Sequence, residues 1–400
     1  MKENKLIEEM KSKIIYLDSD SNKYYSTCFC VSTLENGTLA FVLKEDVQVW
    51  NNCINGLYKS LCKVEKDVSL EEFRDYIRNS LRKNEFNDFE SIKKHYEKRP
   101  LEEYAFIKVA YGMTINDADI KEYKGIILIK KDFIEEYIKK NVLNSEMASH
   151  FYNELKTDDD VVYMNIKCVA KDSYKAQEYA VDKFKLIDTC FRFLLKYSNS
   201  DKLRFGFYNL NYESSSGMYG YNDHLFISMS EYKESLCLDT FFDFLFESDL
   251  SNKVWELMEN KNLNDMEMRI KEAIIWLSEA AHQNDDGIAY MQCFLALEAI
   301  LMEQDGFINK SITAQISEYV AFLLGIEREE RIRIEKEMKE LYSIRSSIAH
   351  GKNKKGIEQE LKRIFMIVKL IVLRFLNDER LIKIRNIKEL RELITNLKFK

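Results

Sequence analysis

The residues best suited to chemistry lie in the run Leu341-Tyr342-Ser343-Ile344-Arg345-Ser346-Ser347-Ile348-Ala349-His350-Gly351. Arg345 carries a permanent charge and a fixed fork of donors that matches a phosphate. His350, with an ordinary pKa of about 6.5, gives or takes a proton near neutrality. RNA supplies its own nucleophile, the 2′-OH. A group that removes its proton and a cation that stabilises the charge on phosphorus are enough to cleave the chain without a metal. The same two residues equally make an ordinary helix end, with the arginine in a salt bridge and the histidine where the helix dipole favours a cation. Five residues at about 100° each turn a helix by roughly 140°, so Arg345 and His350 do not share a face. Either the last turn is irregular near Gly351, or a second copy of the chain completes the site. Ser346 and Ser347, a turn before His350, are hydroxyls that could orient the imidazole.

The elements that must hold this run in place are helical. Apolar periodicity predicts helices over Met268–His282, Ile288–Glu303, Ser311–Leu324, Glu327–Ala349 and Ile357–Leu376. Ile270, Ala273, Ile274, Leu277 and Ala281 form the apolar side of the first. Met291, Leu295, Ala299 and Met302 form that of the second, with Glu298 beside them. Gly306, Gly325 and Gly351 punctuate these helices, and the short connections suggest a bundle. Glu298 is placed either to orient Arg345 or to pair with some other arginine. Lys352, Lys354 and Lys355 follow His350 directly and make either an RNA-backbone contact or a solvated turn.

Before about residue 236 the pattern is mixed. Strands are predicted within 13–46, with Asn36-Gly37 as a hairpin turn, and again over Glu103–Tyr111, Tyr123–Ile129, Val161–Val169, Leu203–Leu210 and His224–Ser230. Residues 46–98 read mostly as helix, with Leu70, Phe73, Ile77 and Leu81 at helical spacing, and Lys131–Val142 as another. Ser173 caps a helix whose stripe is Ala176, Ala180, Phe184, Ile187, Phe191 and Leu194. The tyrosine-rich loop Asn211–Asp223 is either a base-stacking loop or a plain connection. The fold class is therefore an α+β N-terminal region, residues 1–235 with a possible split near 160, followed by an all-α bundle over 236–400.

Bulk composition limits the alternatives. A single proline and 12 glycines in 400 residues favour long uninterrupted helices, and 46% apolar content excludes global disorder. The eight cysteines form no CxxC pair, which suits reduced thiols in the cytoplasm. The first residues lack the apolar core of a signal peptide, and the run Ile364–Leu376 is too short and too charged, through Lys369 and Arg374, to span a bilayer. No membrane partner is expected. His95, His150, His224 and His282 show no metal-ligand spacing, and no cofactor motif is present, so neither metal nor cofactor is expected. The net charge is -7, yet from Arg345 onward there are about 15 basic against about 6 acidic residues, a balance that suits either a polyanion near the C-terminal part or ordinary solvated lysine faces.

The run Tyr342-x-x-Arg345-Ser346-x-Ile348-x-His350-Gly351 resembles the signature of the HEPN superfamily (higher eukaryotes and prokaryotes nucleotide-binding), particularly its Apea-like branch. That signature is an arginine and a histidine separated by four to six residues. The helix Phe294-Leu295-Ala296-Leu297-Glu298-Ala299-Ile300-Leu301 resembles the branch's alanine–leucine–glutamate helix, and the likeness runs from about Met268 to Leu376. The resemblance implies a four- or five-helix bundle that forms a homodimer, with the arginines and histidines of both protomers in one cleft. It implies a metal-independent ribonuclease of phage defence or toxin type, with RNA as substrate and a regulatory or antitoxin protein as a possible partner. Arg345 would hold the scissile phosphate and His350 would be general base or acid, with Tyr342, Ser346, Ser347 and Glu298 in support. Many members carry Asn, Asp or His where this chain has Ser346, so a catalytically silent RNA-binding or dimerisation module is the alternative. A third reading makes the bundle an oligomerisation device and places an activity in the α+β part.

Overall fold

The computed structural model describes residues 2–17, 28–33, 38–83, 88–141, 145–157, 161–196, 205–207, 216–219, 225–228, 236–302, 312–351 and 356–399. In chain order the elements begin with α1 (Lys2–Ser12), β1 (Ile14–Leu17), β2 (Cys28–Thr33), β3 (Leu39–Leu43), α2 (Val47–Leu61), α3 (Leu70–Arg82), α4 (Phe89–Lys98) and β4 (Glu102–Tyr111). Next come β5 (Met113–Thr114), β6 (Ile120–Tyr123), β7 (Ile126–Lys130), α5 (Ile134–Asn141), α6 (Ser145–Leu155), β8 (Val161–Ala170) and α7 (Ser173–Leu195). Then follow β9 (Ser216–Tyr219), β10 (Leu225–Ser228), β11 (Leu236–Cys237), α8 (Leu238–Phe246) and α9 (Asp249–Glu259). The last are α10 (Asp265–His282), α11 (Asp286–Leu301), α12 (Ile312–Leu324), α13 (Arg328–Ala349), α14 (Glu358–Asn377) and α15 (Ile387–Lys398). The described chain is mostly helical, with small sheets in its N-terminal half and helices through its C-terminal half.

The chain divides into two compact units, one of residues 1–107 and 165–182, the other of 108–164 and 183–400. In the first, α1 to α4 enclose a core that includes Trp50, Leu57, Phe73, Ile77 and Tyr96, and a three-stranded sheet has the order β1-β3-β2. Asp172 anchors two helices at once. Its carboxylate accepts the Ser69 amide at 2.9 Å and the Ser69 hydroxyl at 2.8 Å, while Ser69 caps α3 by accepting the Glu72 amide. The same carboxylate accepts the Lys175 amide at 2.8 Å in the first turn of α7. The cap of α7 is thus Asp172 and not the expected Ser173, because a carboxylate has enough lone pairs to serve both helices.

In the second unit the expected stripe of α7 that falls there, Phe184, Ile187, Phe191 and Leu194, is buried. The single strand expected over 123–129 is instead the antiparallel hairpin β6–β7. Lys124 and Gly125 turn it with φ of 48° and 71°, the left-handed pair that a tight hairpin requires. The pair β10-β9 lies there as well, and a four-stranded sheet ordered β4-β8-β7-β6 takes β4 and β8 from segments that the division cuts at 107/108 and 164/165. Of the expected strand Leu203–Leu210 only residues 205–207 are described, and Asn36-Gly37, most of Asn211–Asp223, His224 and Gly306 lie outside the described residues.

The helices from α10 to α14 are built around α11, which packs against α10, α12, α13 and α14. The expected face of α11 is wrong. Met291, Leu295, Ala299 and Met302 are only half-buried, whereas Ala289, Tyr290, Cys293, Phe294, Ala296, Leu297, Ile300 and Leu301 are buried. α11 is apolar almost all round, so periodicity could not choose its inner side.

Cations close several helix C-termini. Lys369 is buried in α14 and donates to the carbonyls of Leu194 (3.2 Å) and Lys196 (2.8 Å) at the end of α7. Arg269 donates to those of Ala299 and Met302 at the end of α11, and Arg374 and Arg331 to those of Leu323 and Gly325 at the end of α12. Among the described residues no helix is long and apolar enough to cross a membrane. Replacing Asp172 with alanine removes three hydrogen bonds to buried or half-buried donors, and should lower stability by about 3 kcal/mol in denaturant unfolding, with Asp172→Asn intermediate.

Candidate active site at the end of α13

Three residues of α11, spaced one turn apart, fix α13 against it. The Tyr290 hydroxyl donates to the Leu341 carbonyl at 2.8 Å, and the Phe294 ring meets the Tyr342 ring edge-on with centroids 5.3 Å apart. Glu298 then accepts two donors on one oxygen, Arg345 Nη2 at 3.1 Å and the Tyr342 hydroxyl at 3.4 Å. The Arg345 guanidinium also lies 5.5 Å above the Tyr342 ring, within cation–π range. Burial, and after it the Glu298 charge, raises the Tyr342 pKa, so the phenol remains a donor to that carboxylate.

Arg345 is not used up by this pairing. Among the described residues its one hydrogen bond is to Glu298, and its Nε is buried without a partner. The side chains of Arg345 and Glu298 are each 23% exposed, so the pair is reachable from solvent.

The helix stays regular to its last residue. The His350 amide still donates to the Ser346 carbonyl at 3.1 Å, and the turn out of the helix comes at Gly351, with φ +75°. This is the left-handed C-terminal stop that a glycine allows. His350 is exposed and lines an open cleft of about 490 Å³ together with Thr313, Lys339, Tyr342, Ser343, Ser346 and Ser347. Arg345 does not line it.

The candidate residues therefore fall into two groups. Tyr342, Ser346, Ser347 and His350 share the cleft, while Glu298, Tyr342 and Arg345 share the polar contact with α11. Tyr342 belongs to both. The Ser347 hydroxyl donates back to the Ser343 carbonyl at 3.0 Å, so in this state it bonds its own helix and not the imidazole. Lys352, Lys354 and Lys355 lie outside the described residues. Sequence reasoning missed Lys339, Ser343 and Thr313. The first two were accessible, since 339, 343, 346, 347 and 350 recur at helical spacing and make a polar stripe. Thr313 comes from α12 and had no such signal.

No protein-family model, curated protein or solved structure matches the chain. The Glu298–Arg345 contact has its own measure. A double-mutant cycle with Glu298→Gln and Arg345→Gln should give a coupling of about 1 kcal/mol in unfolding free energy, modest because both partners are partly exposed.

Proposed function

We propose that the helical C-terminal part is a HEPN-like, metal-independent endoribonuclease that works as a homodimer in the cytoplasm, in phage defence or a toxin-type response. The observation that carries this reading is the helix end itself. An arginine with unused donors and an exposed histidine flank Tyr342 at the close of one helix, beside a polar cleft. A phosphodiester needs a cation for its equatorial oxygens and a base for the 2′-OH, and these are the two groups on offer.

In the proposed reaction one His350 takes the 2′-OH proton as the 2′ oxygen bonds to phosphorus. The bond from phosphorus to the 5′ oxygen breaks, a protonated His350 supplies that oxygen with its proton, and Arg345 neutralises the phosphorane. The products are a cyclic phosphate and a 5′-OH. The roughly 140° between Arg345 and His350 on a helix that stays regular favours a site shared between two copies, each helix end presenting one group toward the other's. Lys352, Lys354 and Lys355 would then follow the RNA backbone.

One observation favours the alternative of a catalytically silent RNA-binding module. Glu298 already partly neutralises Arg345, and Ser346 is a weak aid to phosphate or imidazole. The two readings separate in a cleavage assay with labelled tRNA in the presence of EDTA. Catalysis predicts cleavage that resists chelation and falls by about 100-fold or more in His350→Ala and in Arg345→Ala, with the dimer retained. A silent module predicts RNA binding by all three proteins and no cleavage by any.

A further inference from the structure

A second pocket lies at the far end of α12, away from α13's terminus. It has a volume of about 310 Å³ and lies among the end of α12, the first turn of α13, the end of α14 and the face of α15. Three arginines line it, Arg331, Arg374 and Arg380, against one carboxylate, Asp378. Its remaining wall is largely apolar, with Phe322, Leu381, Leu393 and Leu397.

Each arginine is already anchored. Arg331 Nε holds the Gly325 carbonyl at 3.1 Å, and its guanidinium sits 4.7 Å over the Phe322 ring. Arg374 holds the Leu323 carbonyl. Arg380 grips Asp378 with two nitrogens, at 3.1 and 2.8 Å, and that grip holds the Asp378 carboxyl down to about 2, permanently ionised near neutrality. Asp378 thus offsets Arg380 first and, more weakly, Arg374. Arg331 and Arg374 each spend one of five N–H donors on a carbonyl, and no other hydrogen bond from them is found among the described residues.

Two fixed guanidiniums with most of their donors unused, facing one partly enclosed space, form a receptor for a compact anion. Their anchoring contacts have already removed much of the rotamer freedom that binding would otherwise cost. Helix capping alone accounts for one donor on each and leaves the rest, as well as the apolar wall behind them, without a role. We propose that this pocket binds a small phosphate monoester, with the phosphate between Arg331 and Arg374 and the organic part against Leu393 and Leu397. The inference is independent of the ribonuclease reading.

The test is calorimetric titration of the full chain with inorganic phosphate, AMP and adenosine. AMP should saturate with a dissociation constant of roughly 1 mM or tighter, inorganic phosphate more weakly, and adenosine not at all. Arg331→Gln should weaken AMP by about tenfold, the scale of one charge-assisted bond, with Arg331→Lys in between. Asp378→Asn removes the competing anion and should tighten AMP several-fold, an effect that a purely structural role for these arginines does not produce. The proposal is overturned if neither wild type nor Asp378→Asn binds phosphate or AMP up to roughly 10 mM, if adenosine binds as well as AMP, or if Asp378→Asn weakens binding.

Discussion

A helix leaves its last carbonyls without partners, and this chain has few glycines and a single proline with which to turn away from them. Much of the helical architecture follows from how that deficit is met. Lys369, Arg269, Arg374 and Arg331 reach from neighbouring helices to the ends of α7, α11 and α12. Each such bond is charge-assisted and aligned with the negative end of the helix dipole, so it both satisfies an acceptor and joins two helices. The two charges that interrupt the apolar run of α14, Lys369 and Arg374, are therefore working parts of the bundle. α13 differs from these, since it stops at Gly351 with a positive φ and no cation from a neighbouring helix caps it among the described residues. Its last turn keeps both its arginine and its histidine available.

α11 is apolar nearly all round and packs against α10, α12, α13 and α14. Of its polar groups, Tyr290 and Glu298 find partners on α13, while Gln292 Oε1 is buried without one among the described residues. The Tyr290, Phe294, Glu298 row sets where α13 lies and, through Tyr342, sets the orientation of Arg345. Glu298 is one acceptor facing two donors, so it can steady the guanidinium while leaving its Nε unbonded. An arginine held this way is positioned with donors to spare among the described residues.

The geometry divides α13 into two faces that meet at Tyr342. One carries Arg345 toward α11; the other carries Lys339, Ser343, Ser346, Ser347 and His350 along an open cleft. A single helix cannot bring both faces to one phosphate, since the backbone remains helical up to the His350 amide. Under the proposed ribonuclease reading the second face would come from another copy, and His350 is exposed.

The sequence by itself determined α10 to α14 to within a few residues, because each is a long apolar stretch with few interruptions, whereas α8, α9 and α15 were legible only as generally helical sequence or not at all. It also marked the end of α13 at Gly351 and the separation of Arg345 from His350, since both depend only on local backbone geometry. Other features were settled by tertiary structure alone. The buried side of α11 was invisible because nearly every side is apolar, and a period with no polar face has no phase. The hairpin of β6 and β7 was hidden because Lys124 gives no turn signal as strong as Asn-Gly. The cap of α7 by Asp172 is a local bond to Lys175, but its tie to Ser69, 103 residues away, depends on packing. The choice of Glu298 as the partner of Arg345, and of Thr313 as a wall of the cleft, likewise rests on which helices touch. Local chemistry writes helix ends and periodicities into a sequence; contacts between distant elements depend on packing, and packing is a property of the folded chain.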